Sequence, residues 1–154
     1  MWPKLRKQVA VEMEQIRQLL ETYRPLLEKC ATATPDVIER AALAAMLHAF
    51  YNGIENIFHR VSVEVDGESL KGELWHRQLL ERMAQSGKNR PAVVSEILKD
   101  KLRAYLEFRH VFRHAYTFEL RWEKMAEIVL GCEETFDQFE SEITHFFENQ
   151  SPKT

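Results

Sequence analysis

Apolar residues recur along this chain at helical spacing. Leu5, Val9, Met13, Ile16, Leu20, Tyr23 and Leu27 form one stripe, which predicts a long first amphipathic helix. Pro25 lies inside that stripe. A proline there removes the bond to the carbonyl of Glu21, so the spacing predicts a kink in the last turns. The run Thr32-Ala33-Thr34-Pro35-Asp36 reads as a loop, with Thr34 as N-cap and Pro35 at the first position of a second helix that extends to Val65.

The second helix has two distinct faces. At about 100° per residue, Leu43, Met46, Leu47, Phe50, Ile54, Ile57, Phe58 and Val61 fall on one side. Ala41, Ala44, Ala45, His48, Asn52, Glu55 and His59 fall opposite, with Tyr51 on the flank. This second face is too small and too uncharged for a solvated surface. It reads as a helix contact carrying a short polar stripe, with a second copy of the chain as its expected partner. Asn52 and Glu55 are therefore candidates for a dimer contact or for support of a site elsewhere. His48, Asn52, Glu55 and His59 also form a row of metal-ligating types, for which a polar contact is the simpler reading.

Asp66-Gly67 signals a turn, and Glu68 to Gly72 a loop. Leu74, Trp75, Leu79, Leu80 and Met83 predict a short third helix stopped by Ser86-Gly87. Trp75 is expected as a core anchor, and His76 and His145 at the surface. Pro91 is expected to open a fourth helix, with Val94, Leu98, Leu102, Tyr105, Phe108 and Phe112 on its core face. A fifth helix beginning near Thr117 to Glu119 buries Leu120, Met125, Val129, Cys132, Phe136, Phe139, Ile143 and Phe147. Ser151 to Thr154 is expected to fray. No β-period, repeat, glycine-rich phosphate loop or long linker interrupts the pattern. The expected architecture is all-α: an up-and-down four-helix bundle with an additional short helix, in one domain over residues 1–150.

Two cysteines, Cys30 and Cys132, fit reduced, cytoplasmic use better than a disulfide framework. Met1 to Arg6 is not followed by the apolar segment of a signal peptide. The most apolar run, Ala41 to Phe58, is broken by His48, Asn52, Gly53 and Glu55, and is too polar to span a membrane. The formal net charge is -3. A nucleic-acid partner must therefore meet a local basic patch. Such a patch is available, because Lys99, Lys101, Arg103, Arg109, Arg113, Arg121 and Lys124 concentrate on the fourth helix and its exit. The last helix carries Glu127, Glu133, Glu134, Asp137, Glu140, Glu142 and Glu148. The bland account of both sets is that they pair with one another across the bundle.

The densest chemistry lies in Arg109-His110-Val111-Phe112-Arg113-His114-Ala115-Tyr116. Histidine titrates near neutrality and can serve as general acid or base. Arginine keeps its proton and presents a planar fork to phosphate oxygens. These are the groups needed when the 2'-hydroxyl of RNA attacks its own phosphorus. Ideal geometry turns His114 about 140° away from Arg109, so the two share no stripe on a straight helix. A loosened last turn, or a two-fold dimer that pools two octets, would reconcile them. His110 and His114 at i and i+4 also have metal-binding spacing, but no nearby cysteine or carboxylate completes a ligand set. Tyr116 borders the apolar face, so a packed phenol is expected from position alone.

The octet resembles the R-x4-H-x-Y motif of HEPN-domain proteins and, within them, of HepT-like ribonuclease toxins. The segments Tyr23-Arg24-Pro25-Leu26-Leu27 and Trp75-His76-Arg77-Gln78-Leu79-Leu80, and the stretch led by Arg90-Pro91, resemble that family too. The resemblance implies a homodimeric, metal-independent endoribonuclease toxin without a cofactor, with Arg109 and His114 catalytic. It implies that His110 and Arg113 contact RNA or a partner. It also implies that a minimal nucleotidyltransferase antitoxin silences the toxin by transferring AMP to Tyr116. Added phosphate there would occupy nearby arginine donors and repel RNA. The alternatives are a non-catalytic helical binding subunit for a nucleotidyltransferase, and a plain dimerisation scaffold.

Overall fold

The computed structural model describes residues 2–72 and 74–149. Its regular structure is helical, without a strand among those residues: α1 (Pro3–Cys30), α2 (Val37–Val61), α3 (Trp75–Met83), α4 (Glu96–His114), α5 (Trp122–Leu130) and α6 (Cys132–Glu148). A π-helical turn, Ser62–Asp66, extends α2, and a 3-10 turn, Thr117–Glu119, precedes α5.

α1 buries Leu5, Val9, Met13, Ile16, Leu20, Leu27 and Cys30 on one stripe and continues past Pro25 to its end. α2 lies at the centre and packs against α1, α3 and α4. Phe50 meets Tyr105 of α4 with ring centroids 5.2 Å apart, and Phe58 meets Phe139 of α6 at 5.5 Å. The α1–α2 crossing is close because of Gly53. A Cβ at that position would lie 2.6 Å from Cγ1 of Ile16. The expected all-α bundle is therefore present, with α1, α2, α4 and α6 as its long members.

Three boundaries differ from the sequence expectation. Asp36, not Thr34, caps α2. Its Oδ1 accepts from Glu39 N at 2.8 Å, while Glu39 Oε1 accepts from Asp36 N at 3.0 Å. This reciprocal pair satisfies two end donors, which a lone threonine cap cannot do. Pro91 does not open α4. Ser95 does, accepting from Leu98 N at 3.1 Å, with the Glu142 carboxylate accepting from Ser95 N at 2.6 Å. The segment before it is bent at Val93 and Val94 and held to the end of α3, because both of their amides donate to the Met83 carbonyl. The expected fifth helix is two helices. Gly131 separates them with φ -95° and ψ 0°, and a Cβ there would sit 3.0 Å from the Glu127 carbonyl.

The charge pattern also resolves differently. Lys99 pairs with Glu81 at 3.2 Å and with Glu96 at 2.7 Å, and Arg103 pairs with Glu81. The acidic α6 turns to α1 instead: Glu140 pairs with Arg17, and Glu133 lies 3.6 Å from Arg24. The reason is placement, since α3 runs beside the charged face of α4 and α1 beside that of α6. Cys30 and Cys132 are both free and buried. His145 is exposed. The expected frayed tail, Ser151 to Thr154, lies outside the described residues.

Candidate active site

The register of α4 decides where each octet side chain goes. Arg109 follows the buried Leu102 by seven residues, which on an α-helix returns to within about 20° of the same direction. Arg109 is accordingly half-buried at the seam with α2 and α3, while His110, Arg113 and His114 remain exposed. The helix holds through His114, so the last turn is not loosened before that residue. The chain turns away only at Ala115, which is extended.

Arg109, His110, Arg113 and His114 line one cleft of about 430 Å³, together with Leu74, His76, Arg77, Leu106 and Glu107. The rings of His110 and His114 lie side by side, centroids 4.5 Å apart. The cleft is walled by α3 and α4, and its cationic groups are the kind that meet phosphate.

His76 is the residue that sequence reasoning missed. Expected at the surface, it is half-buried, with its ring 3.6 Å from that of Trp75. Its Nε2 lies 3.1 Å from Arg109 Nη1, and its Nδ1 lies 2.8 Å from Glu55 Oε2. A guanidinium only donates, so Nε2 accepts and carries no proton. Nδ1 then carries the ring's hydrogen and donates to the carboxylate. Glu55 from α2, His76 from α3 and Arg109 from α4 thus form one hydrogen-bonded chain across three helices.

The polar stripe of α2 is placed accordingly. Glu55, only 6% exposed, and Ala44 are covered by the chain's own helices, while Ala45 and His59 face outward. Asn52 is half-buried and lies 3.2 Å from His48 Nε2 through its Nδ2. His48 packs on Phe112 of α4, centroids 5.1 Å apart. Burial first, then the Arg109 and Arg113 guanidiniums, hold the His48 imidazole below the ordinary histidine value, with Glu55 opposing. Burial pushes the Tyr51 phenol up, Glu55 adds to that, and Arg109 opposes it. His48 Nδ1, Tyr51 Oη and Arg109 Nε are each buried without a hydrogen-bond partner among the described residues.

Tyr116 corrects a further expectation. It is not packed but 73% exposed, because the helix ends two residues earlier and the backbone at Tyr116 is extended. Its ring stacks on that of Phe118, centroids 5.5 Å apart and 9° from parallel.

A model of the HepT-like protein family matches residues 42–150. This chain belongs to that family. The matched span contains α3, α4 and the whole cleft, and it begins within α2, so Glu55 is included. No curated protein and no solved structure matches the chain. Among the described residues, no group of three or more histidine, cysteine or acidic side chains is arranged to hold a metal, and no helix is long and apolar enough to cross a membrane.

Proposed function

We propose that this HepT-like chain is a metal-independent endoribonuclease toxin, held in check by a nucleotidyltransferase antitoxin. The observation that carries the reading is the shared cleft, onto which Arg109, Arg113, His110 and His114 all open. A strand of RNA laid there meets guanidiniums for its phosphates and imidazoles for its protons.

In the proposed reaction the 2'-hydroxyl loses its proton to a general base and its oxygen bonds to the adjacent phosphorus. The phosphorane charge is met by Arg109, and the bond to the 5'-oxygen breaks as that oxygen gains a proton. One proton leaves and one arrives, and the products are a cyclic 2',3'-phosphate and a 5'-hydroxyl. His114 serves as the acid/base group, which its position at the open helix end permits. Arg109 acts as the transition-state clamp, and its Nη1 bond to His76 supports a fork oriented before substrate arrives. Arg113 and His110 hold the flanking phosphate. A two-fold pair of chains would pool two such clefts and offset the divergence of Arg109 and His114 on one helix.

The exposure of Tyr116 supports its role as acceptor of AMP from the antitoxin. A phosphodiester just beyond His114 would carry negative charge to the mouth of the cleft and compete with RNA for the arginines.

The test compares purified wild-type chain with His114→Ala on single-stranded RNA in the presence of EDTA. Wild type is expected to cleave in chelator. The variant is expected to keep its helical signature and lose at least about 100-fold in rate, the scale of a positioned acid/base group. Undiminished cleavage by the variant removes the assignment of His114. Loss in EDTA restored by a divalent ion removes the metal-independent reading. Binding of RNA by both proteins without cleavage supports the rival function of a helical binding subunit.

A further inference from the structure

We propose that His76 is a positioning residue: backed by Glu55, it aims the Arg109 guanidinium into the cleft. The inference rests on the ribonuclease reading of that cleft and adds to it a residue outside the octet.

The geometry has three parts. Arg109 emerges at the seam between α2 and α3, where a flexible side chain of this length has several rotamers of similar energy. His76 removes that freedom by accepting from Nη1 at 3.1 Å. Its own ring is fixed twice, by Glu55 at 2.8 Å on Nδ1 and by the face of Trp75 at 3.6 Å. Glu55 is 6% exposed, so its carboxylate is itself held by packing.

A second observation argues that His76 is more than a packing partner. Arg109 Nε is buried and has no acceptor among the described residues. The His76 bond is therefore the one hydrogen bond among these residues that fixes the fork. A guanidinium anchored at a single nitrogen keeps further donors for a phosphate oxygen, whereas one saturated by protein carboxylates would not. The ring must also be the neutral form with hydrogen on Nδ1, and Glu55 selects that tautomer. The imidazole here is an acceptor for arginine and not a donor to substrate.

The chemistry separates positioning from stability. A misaimed clamp loses interactions made mainly in the transition state, so kcat falls more than KM rises. Glutamine can replace both bonds, offering its Oε1 to Arg109 and its amide N–H to Glu55. Phenylalanine fills the same space and offers neither.

The experiment measures steady-state cleavage of a labelled single-stranded RNA of mixed sequence by wild type, His76→Phe, His76→Gln and Glu55→Met. Melting temperatures and 15N spectra of the histidine rings are recorded in parallel. His76→Phe is expected to lose about 10- to 100-fold in kcat, the scale of a misplaced catalytic group, with a smaller change in KM. His76→Gln is expected to recover most of that loss at the same melting temperature as His76→Phe. The wild-type His76 ring is expected to show hydrogen on Nδ1 and a bare Nε2. Wild-type kcat in His76→Phe overturns the proposal. So does a glutamine variant as impaired as the phenylalanine one, or a loss that follows melting temperature across the series. If His76→Phe does not fold, Glu55→Met, which offers Nδ1 no oxygen, and the ring spectrum decide: wild-type kcat in the first, or hydrogen on Nε2 in the second, overturns it. Absence of cleavage by wild type overturns the ribonuclease reading instead, and the ring spectrum then still decides whether the Glu55–His76–Arg109 chain exists in solution.

Discussion

Arg90 offers a sharp test of how this fold is held together. Its guanidinium is almost wholly buried in the loop between α3 and α4. Nε donates to Asp66 Oδ1 at 2.6 Å and Nη2 to Asp66 Oδ2 at 2.9 Å, a two-pronged pair. Nη1 donates to the carbonyls of Gln85 and Pro91 at 2.8 and 2.9 Å, and Nη2 reaches that of Arg82 at 3.2 Å. One side chain thus ties the exit of α2, the end of α3 and the approach to α4. Arg90→Ala leaves the half-buried Asp66 carboxylate without its cation and removes a donor from each of those carbonyls. Breaking such a pair from one side costs about 3–5 kcal/mol, mainly because the remaining charge is stranded. For a chain of this size each kcal/mol moves the melting temperature by about 2–4 °C. The expected fall is therefore about 6–20 °C, read by circular dichroism and by urea titration with an unchanged m-value. Arg90→Lys keeps the charge but not the fork, and should recover only part of the loss. A double-mutant cycle with Asp66→Asn should show coupling of about 0.5–3 kcal/mol. If Arg90→Ala costs less than about 1 kcal/mol, in the range of an ordinary substitution, the loop is not held by this residue and the reasoning fails.

Other expectations follow from the same geometry. Gly53→Ala should destabilise by about 1–3 kcal/mol despite alanine's better helix propensity, because its Cβ meets Ile16 at 2.6 Å; Ile16→Val should relieve part of this, and a stabilised single variant in urea titration would refute the close crossing. The His48 imidazole is held below its unfolded value, so the stability it lends is complete above the ordinary histidine pKa and is lost as pH falls through that value toward the folded one. His48→Gln should therefore flatten the fall of melting temperature between neutral and mildly acidic pH; an unchanged slope would exclude His48 as its source. Burial pushes the Cys132 thiol up to about 12, so it should resist alkylation in the native chain and react only in denaturant. Rapid native labelling at Cys132, located by mass spectrometry, would contradict its burial.

Much of this architecture was already legible along the chain. The stripes from Leu5 to Leu27 and from Leu43 to Val61 specify α1 and α2, because helical periodicity is a local property of side-chain order. The all-α class follows from the same cause. Competition between nearby signals was less legible. Thr34 and Asp36 both can cap, and Pro91 and Ser95 both can start a helix. In each case the winner was chosen by partners, Glu39 for Asp36 and Glu142 for Ser95, and only the second lies far away in sequence. Gly131 divides α5 from α6 inside one continuous apolar pattern, and that pattern by itself carries no sign of the break.

The octet likewise stood out as the candidate site from residue types and spacing alone. Its seven-residue step from Leu102 even carried the direction of Arg109. What no local pattern could supply was His76. Its meeting with Glu55 and Arg109 requires α2, α3 and α4 to converge, joining residues 21 and 33 positions apart in the chain. The exposure of Tyr116 was equally a tertiary matter, since it depends on α4 ending at His114 and not one turn later. The chain order determined which groups were present and which helices bore them; packing alone determined which imidazole would face the arginine.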